Sequence, residues 1–187
     1  MPRKSRIVVP AALFLALSAC TSHAAEPDRP LKAALTTPTD IDLVWHDDRP
    51  GVAGHVLEFA TEADGPYTVL KYLPRQVSTY RHPDLIPHTT FHYRLRSYRG
   101  PTSEPARVDR TESIRFTWTD ESADEDGFLL EIRRKGGGTR YEPLAVLDPD
   151  VTSTELATLP GEKDASFQVR AFVLGEQSNV VRLTTGE

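Results

Sequence analysis

Apolar and polar residues form two different patterns along the chain. Near the start, an apolar stretch from Ile7 to Leu17 lies behind three positive charges, Arg3, Lys4 and Arg6. At about eleven residues it is well short of the roughly 20 that a spanning helix needs, and Pro10 interrupts it. A basic end followed by a short apolar core is the layout of a secretory signal peptide. Further on the period is two. Ile41-Asp42-Leu43-Val44-Trp45 and Ile114-Arg115-Phe116-Thr117-Trp118 both alternate, which turns Ile41, Leu43 and Trp45, and then Ile114, Phe116 and Trp118, toward one face of a half-buried strand.

The segments downstream of the two tryptophans repeat as well. A polar loop leads to a glycine and a second strand, Gly54-His55-Val56-Leu57-Glu58-Phe59 in one copy and Gly127-Phe128-Leu129-Leu130-Glu131-Ile132 in the other. Glycine turns come next, at Asp64-Gly65-Pro66 and Gly136-Gly137-Gly138, then strands from Tyr67 and Tyr141, and late strands at Phe91–Arg96 and Ser166–Ala171. Outside the leader, no stretch sustains a helical apolar period. Short strands with turn signals about every ten residues predict an all-β chain of sandwiches.

Two family resemblances sharpen this. Leu17-Ser18-Ala19-Cys20 resembles the lipobox of bacterial lipoproteins. It implies cleavage after residue 19 and acylation of Cys20, including a diacylglycerol on its thiol, because more than one acyl chain is needed for a stable anchor. Thr21, rather than Asp, follows the cysteine, so the resemblance implies an outer-membrane address. Residues 1–19 are then the signal peptide, and 20–30, with two prolines and no apolar period, a linker behind the lipid. The two repeats resemble fibronectin type III domains. In the second, Thr117-Trp118-Thr119-Asp120, Glu125-Asp126-Gly127-Phe128 and Ser178-Asn179-Val180-Val181 carry the likeness; in the first it is Leu85-Ile86-Pro87-His88-Thr89 before Phe91. The implied fold is two tandem immunoglobulin-like β-sandwiches, at residues 31–109 and 110–187. The family's corner tyrosine is replaced by Phe91 and Ala165. The second copy has little room for a first strand, so either it lacks one or residues Ala106 to Thr111 serve both domains and couple them.

Charge narrows the partners. The full chain has a net charge of −5; without the leader, 19 Lys and Arg face 27 Asp and Glu, giving −8. An acidic protein is poorly suited to nucleic acid or to an anionic lipid surface. With Cys20 the only cysteine, no disulfide is expected and the folds must rest on their apolar cores.

Candidate chemistry is sparse. Asp120–Asp126 concentrates five carboxylates, but a calcium ion needs six to eight converging oxygens, and a connecting loop is the expectation. His46, His55, His82, His88 and His92 show no zinc-ligand spacing. No metal and no cofactor are therefore expected. The basic hairpin Arg133–Arg140 could meet phosphates, but it reads first as a solvated tip. No Gly-x-Ser-x-Gly elbow is present, so the chain is not expected to be an enzyme. The inward tryptophans count against a lectin. The remaining feature is an apolar pair at equivalent outward positions of each repeat: Leu129 beside Phe172, and Val56 beside Tyr98. These four are the expected centre of a protein-binding patch, unless the domains themselves cover them. Glu131, on the same face, reads as a rim charge. The expected function is a lipid-anchored, non-catalytic adaptor or accessory subunit that binds an envelope protein, with a polysaccharide or peptidoglycan-binding module as the alternative.

Overall fold

The computed structural model describes residues 30–110, 112–157, 159, 162 and 164–186. The expected signal peptide, Cys20 and the expected linker before Pro30 lie outside the described residues. Within them every regular element is a strand: β1 (Lys32–Thr37), β2 (Asp40–Val44), β3 (Gly54–Ala60), β4 (Thr68–Pro74), β5 (Thr79–His82), β6 (Thr90–Arg99), β7 (Thr102–Ser103), β8 (Ala106–Asp109), β9 (Ser113–Thr117), β10 (Gly127–Arg133), β11 (Glu142–Leu147), β12 (Ser153–Ala157), β13 (Ser166–Gln177) and β14 (Val181–Thr184).

The alternation has the expected consequence. Ile41, Leu43 and Trp45 are buried while Val44 is exposed, and Ile114 and Phe116 are buried in the second copy. Two cores result. The first gathers Trp45, Leu57, Phe91, Tyr93 and Leu95; the second gathers Ile114, Phe116, Phe128, Leu130 and Val169, with Trp118 packed against it. Each core is closed on one side by a three-stranded sheet, β1-β2-β5 or β8-β9-β12.

On the other side the two domains share one eight-stranded sheet, in the order β11-β10-β13-β6-β3-β4. The central strands β6 and β13 run antiparallel and pair Arg99 with Val173 and Tyr98 with Leu174. The remaining strands are exchanged. The chain leaves β6 of the first domain and places β7 against β13 of the second, with Ser103 opposite Val169. It later leaves β13 and places β14 against β6 of the first, with Val181 opposite Tyr93 and Leu183 opposite Phe91. Val181 and Leu183 thereby pack against the first core. Beside them the Asn179 side chain holds both polar groups of the Leu31 backbone: its Oδ1 accepts from the Leu31 N–H at 2.8 Å, and its Nδ2 donates to the carbonyl at 3.0 Å. Each sandwich is three strands on four, the architecture that the fibronectin type III likeness implies.

This corrects the expected boundaries. Residues 102–109 belong to the second domain and residues 178–186 to the first, so neither 31–109 nor 110–187 is a closed unit. The second domain does have a first strand, β8, paired along β9 from Ala106–Thr117 to Asp109–Ile114. Both readings of the segment from Ala106 to Thr111 therefore fail. The described part of that segment serves the second domain alone, and the first domain takes its last strand from the chain's end. At the crossover the backbone of Gly100, at φ +149°, lies so close to the Ala171 carbonyl that any Cβ would collide with it. Glycine is required there.

A candidate ligand cleft in the second domain

The four residues expected to form a docking patch do come together, but not at the surface. Val56, Tyr98, Leu129 and Phe172 form a single buried cluster, each at most 2% exposed, with Tyr72 and Leu174 packed against it. The ends of the shared sheet, β4 and β11, approach each other. The outward faces of the two repeats are thus folded onto one another. The Tyr98 and Phe172 rings meet edge-on at 6.1 Å. These side chains hold the domains together and are not an exposed binding surface. The pattern identified the right residues and the wrong neighbour, because alternation separates a strand's two faces but does not say what covers the second one.

Glu131 is corrected in the same way. It is 3% exposed and accepts from Arg170 through both oxygens at 3.2 Å and from the Gln168 amide. In the first repeat Glu58 takes the same part, accepting from Arg94 Nε at 2.7 Å, and that guanidinium lies over the Tyr67 ring. These are structural ion pairs lining the junction, each acid matched by a base on the neighbouring strand.

The charged hairpin and three of the histidines, His46, His55 and His82, are likewise engaged locally. Arg134 meets Glu162 at 2.9 Å, Arg140 meets Glu142 at 3.0 Å, and Arg133 lies over Tyr141. His82 Nδ1 stands 3.0 Å from the Tyr93 hydroxyl. Among the described residues one set of three potential metal ligands converges: Asp120, Glu125 and Asp150 each bring a carboxylate oxygen within 4.8 Å of the others. Backbone N–H groups and the Ser122 hydroxyl hold the Glu125 carboxyl below its ordinary range. Asp150 reaches this place from the loop before β12, a neighbourhood that local spacing could not reveal.

The loops after the two tryptophans differ more informatively. Both run from the tryptophan to a glycine over the same number of residues, so Asp47 corresponds to Asp120, Arg49 to Ser122 and His55 to Phe128. Register adds a fourth match, since His55 pairs with Ser97 where Phe128 pairs with Ala171. The local turn is the same in both: Asp47 Oδ1 accepts from the Arg49 N–H at 3.3 Å, and Asp120 Oδ1 from the Ser122 N–H at 3.0 Å. In the first domain the Arg49 side chain fills the space beneath this turn. It donates from Nε and Nη2 to the two Asp47 oxygens, both at 2.8 Å, and from Nη2 to Ser97 Oγ at 3.0 Å. His55 Nε2 lies 3.1 Å from the same carboxylate, and the imidazole meets Trp45 edge-on.

Burial pushes the Asp47 carboxyl upward, but the hydrogen bonds from Arg49 and His55 outweigh it and hold the group well below the carboxylate range. A carboxylate depressed in the folded state stabilises the fold above its unfolded pKa of about 3.9, and that contribution is lost as pH falls toward the folded value. Thermal unfolding from pH 7 down to pH 2 should therefore show a stability loss that begins below about pH 4. Asp47→Asn should be less stable at pH 7 and should fall off less steeply in acid. An unchanged acid slope in that variant would remove Asp47 from the account.

In the second domain arginine is replaced by Ser122, histidine by Phe128 and serine by Ala171, and the space stays open. A cleft of about 610 Å³ lies here. Phe128 and Val169, both buried, and the half-buried Trp118 and Ala171 form its floor. The exposed Glu104 and Glu121 stand at its rim, among hydroxyls of Thr102, Ser103 and Thr119. No lysine or arginine is among the described residues lining it. Trp118 departs from the expectation of a wholly inward side chain. It does pack on Phe128, with ring centroids 5.7 Å apart, but it also faces this opening. The substitutions that open the cleft are legible once the two loops are aligned; that they leave space depends on where the arginine side chain goes.

No protein-family model matches the chain, and no curated protein is similar to it. Among solved structures it is similar to a segment of two fibronectin type III domains from chicken tenascin, at 17% identity and a TM-score of 0.33, over 82% of this chain and 95% of that one. It is also similar to the FN1-FN3 domains of chicken CNTN1, at 13% identity and a TM-score of 0.32, over 87% of this chain and 64% of that one. The three-on-four strand order, and not the degree of this likeness, is what makes both domains fibronectin type III-like.

Proposed function

We propose that the chain is a lipid-anchored, non-catalytic binding protein of the bacterial envelope, serving as an adaptor or accessory subunit and receiving its protein partner at the second-domain cleft. The observation that carries this reading is the cleft itself, open in one repeat where the other is filled by its own arginine. Its apolar floor and polar rim are the makings of a recognition site, and the exchange of strands holds it in a stiff body. The charged groups that the fold buries are matched in ion pairs, which suits a scaffold better than a reaction centre. Attachment through Cys20, with Thr21 behind it, supports an outer-membrane address. The ring of Trp118 among hydroxyl groups is the one feature on the side of a polysaccharide ligand, since sugars stack on aromatic faces.

Two experiments test this. Cys20→Ser should leave the chain exported but move it from the membrane fraction to the soluble periplasm; a variant still held in the membrane at unlipidated mass would refute the anchor. A photo-crosslinking residue at position 121, on the cleft rim, should trap a defined protein in intact cells. The same residue at position 71, on β4, should not. Equal capture from both positions would place the contact elsewhere. Retention by purified peptidoglycan, lost when Trp118 is replaced, would favour the polysaccharide reading.

A further inference from the structure

We infer that the second-domain cleft takes a guanidinium group, presented as an arginine side chain by the partner protein, in the place that Arg49 occupies in the first domain. This rests on reading the cleft as the partner's contact site and adds the chemistry that the site selects.

The two repeats provide the comparison. They share the tryptophan, the aspartate turn behind it, the glycine that opens the next strand, and the strand register. In the first, a guanidinium lies between the aspartate and the sixth strand, bonded to Asp47 on one side and to Ser97 on the other. In the second, Asp120 is kept while the arginine is not, and the counterparts of Arg49 and Ser97, which are Ser122 and Ala171, both line the open cleft. The second repeat thus lacks both the arginine and the Ser97 hydroxyl, and what it offers a cation is carboxylate: Glu104 and Glu121 on the cleft lining, with Asp120 next to Glu121 in the chain. A planar fork of N–H donors on an apolar stem fits such a space, with the stem against Trp118 and Phe128 and the charge toward carboxylates.

Charge points the same way. Glu104 and Glu121 line the cleft, no lysine or arginine is among its described lining residues, and Glu125 and Asp150 gather about Asp120. Lysine would satisfy the charge but not the fork, because an ammonium is a compact, strongly hydrated point charge. A neutral isostere would lose the charge-assisted bonds, which are roughly twice as strong as neutral ones. The site therefore discriminates by shape against lysine and by charge against citrulline.

The test uses the folded chain from residue 20 onward, with Trp118 fluorescence as the readout and Nα-acetylargininamide as the probe. Saturable binding is expected, on the order of millimolar for one side chain. The lysine and citrulline analogues should bind at least about tenfold more weakly. Ser122→Arg should fill the cleft from within, abolish probe binding and remove the crosslink from position 121 in cells. Should Ser122→Arg fail to fold, Glu104→Gln with Glu121→Gln replaces it, and probe affinity should fall several-fold. Equal binding of the citrulline analogue, or undiminished binding by either variant, overturns the inference. A protein still trapped from position 121 in Ser122→Arg leaves the adaptor reading standing without the arginine. Specific arginine binding with no protein trapped in cells upholds the site chemistry and removes the adaptor reading.

Discussion

Replacing Trp45 with alanine is expected to unfold both domains in one transition, although the residue belongs to the first core alone. Deleting so large a buried side chain costs roughly 3–5 kcal/mol, a large share of the ~5–15 kcal/mol that a native protein has in reserve. If the repeats were beads on a string, the loss would stop at the first domain. The exchanged strands prevent that. Once the first core fails, β14 loses Phe91 and Tyr93 as neighbours, and β13 loses its pairing with β6. Leu129 and Phe172 are then stripped of Val56, Tyr98 and Tyr72. The second domain would be left with a bare sheet edge and an exposed apolar face, neither of which it can carry alone. Calorimetry should show a single peak at reduced temperature, with Trp118 reporting the same midpoint. Two resolved peaks, the upper one unshifted, would mean that the junction does not couple the domains.

Ending the chain after Ser178 is expected to abolish folding of the first domain, even though the whole of residues 31–109 remains. The truncation removes β14 and its pairing along β6, from Val181–Tyr93 to Thr184–Thr90. It removes both Asn179 bonds to the Leu31 backbone. It also removes Thr185, whose hydroxyl donates to the Ile86 carbonyl at 2.6 Å and accepts from the Thr89 N–H at 3.0 Å. At about 1 kcal/mol net for each hydrogen bond, together with burial of Val181 and Leu183, the loss is comparable to the whole stability of a small domain. Far-UV circular dichroism and amide hydrogen exchange would register it. Full protection of β2, β3 and β6 in the truncated chain would show that the exchange is dispensable.

Period-two alternation determined the strands and their inward faces, because a strand can bury only one of two alternating rows unless something covers the second. It placed Ile41, Leu43 and Trp45 in one core and Ile114 and Phe116 in another. It also singled out Val56, Tyr98, Leu129 and Phe172, whose apolar character on the second row needed a cover. The identity of that cover was settled only by tertiary structure. Each exchanged segment sets a serine, Ser103 or Ser178, against a core residue of the strand it joins, Val169 or Leu95. Either segment carries what an edge strand needs, and the chain holds two nearly equivalent edges. Backbone pairing has the same chemistry on both, so local sequence cannot choose between them. The choice is made where β6 and β13 lie side by side and Gly100 lets the chain pass close to Ala171. The cleft has the same double origin. Serine, phenylalanine and alanine in place of Arg49, His55 and Ser97 are written in the chain. That their smaller or apolar side chains leave open space beside Trp118 is decided only by the path of the arginine that the second repeat lacks.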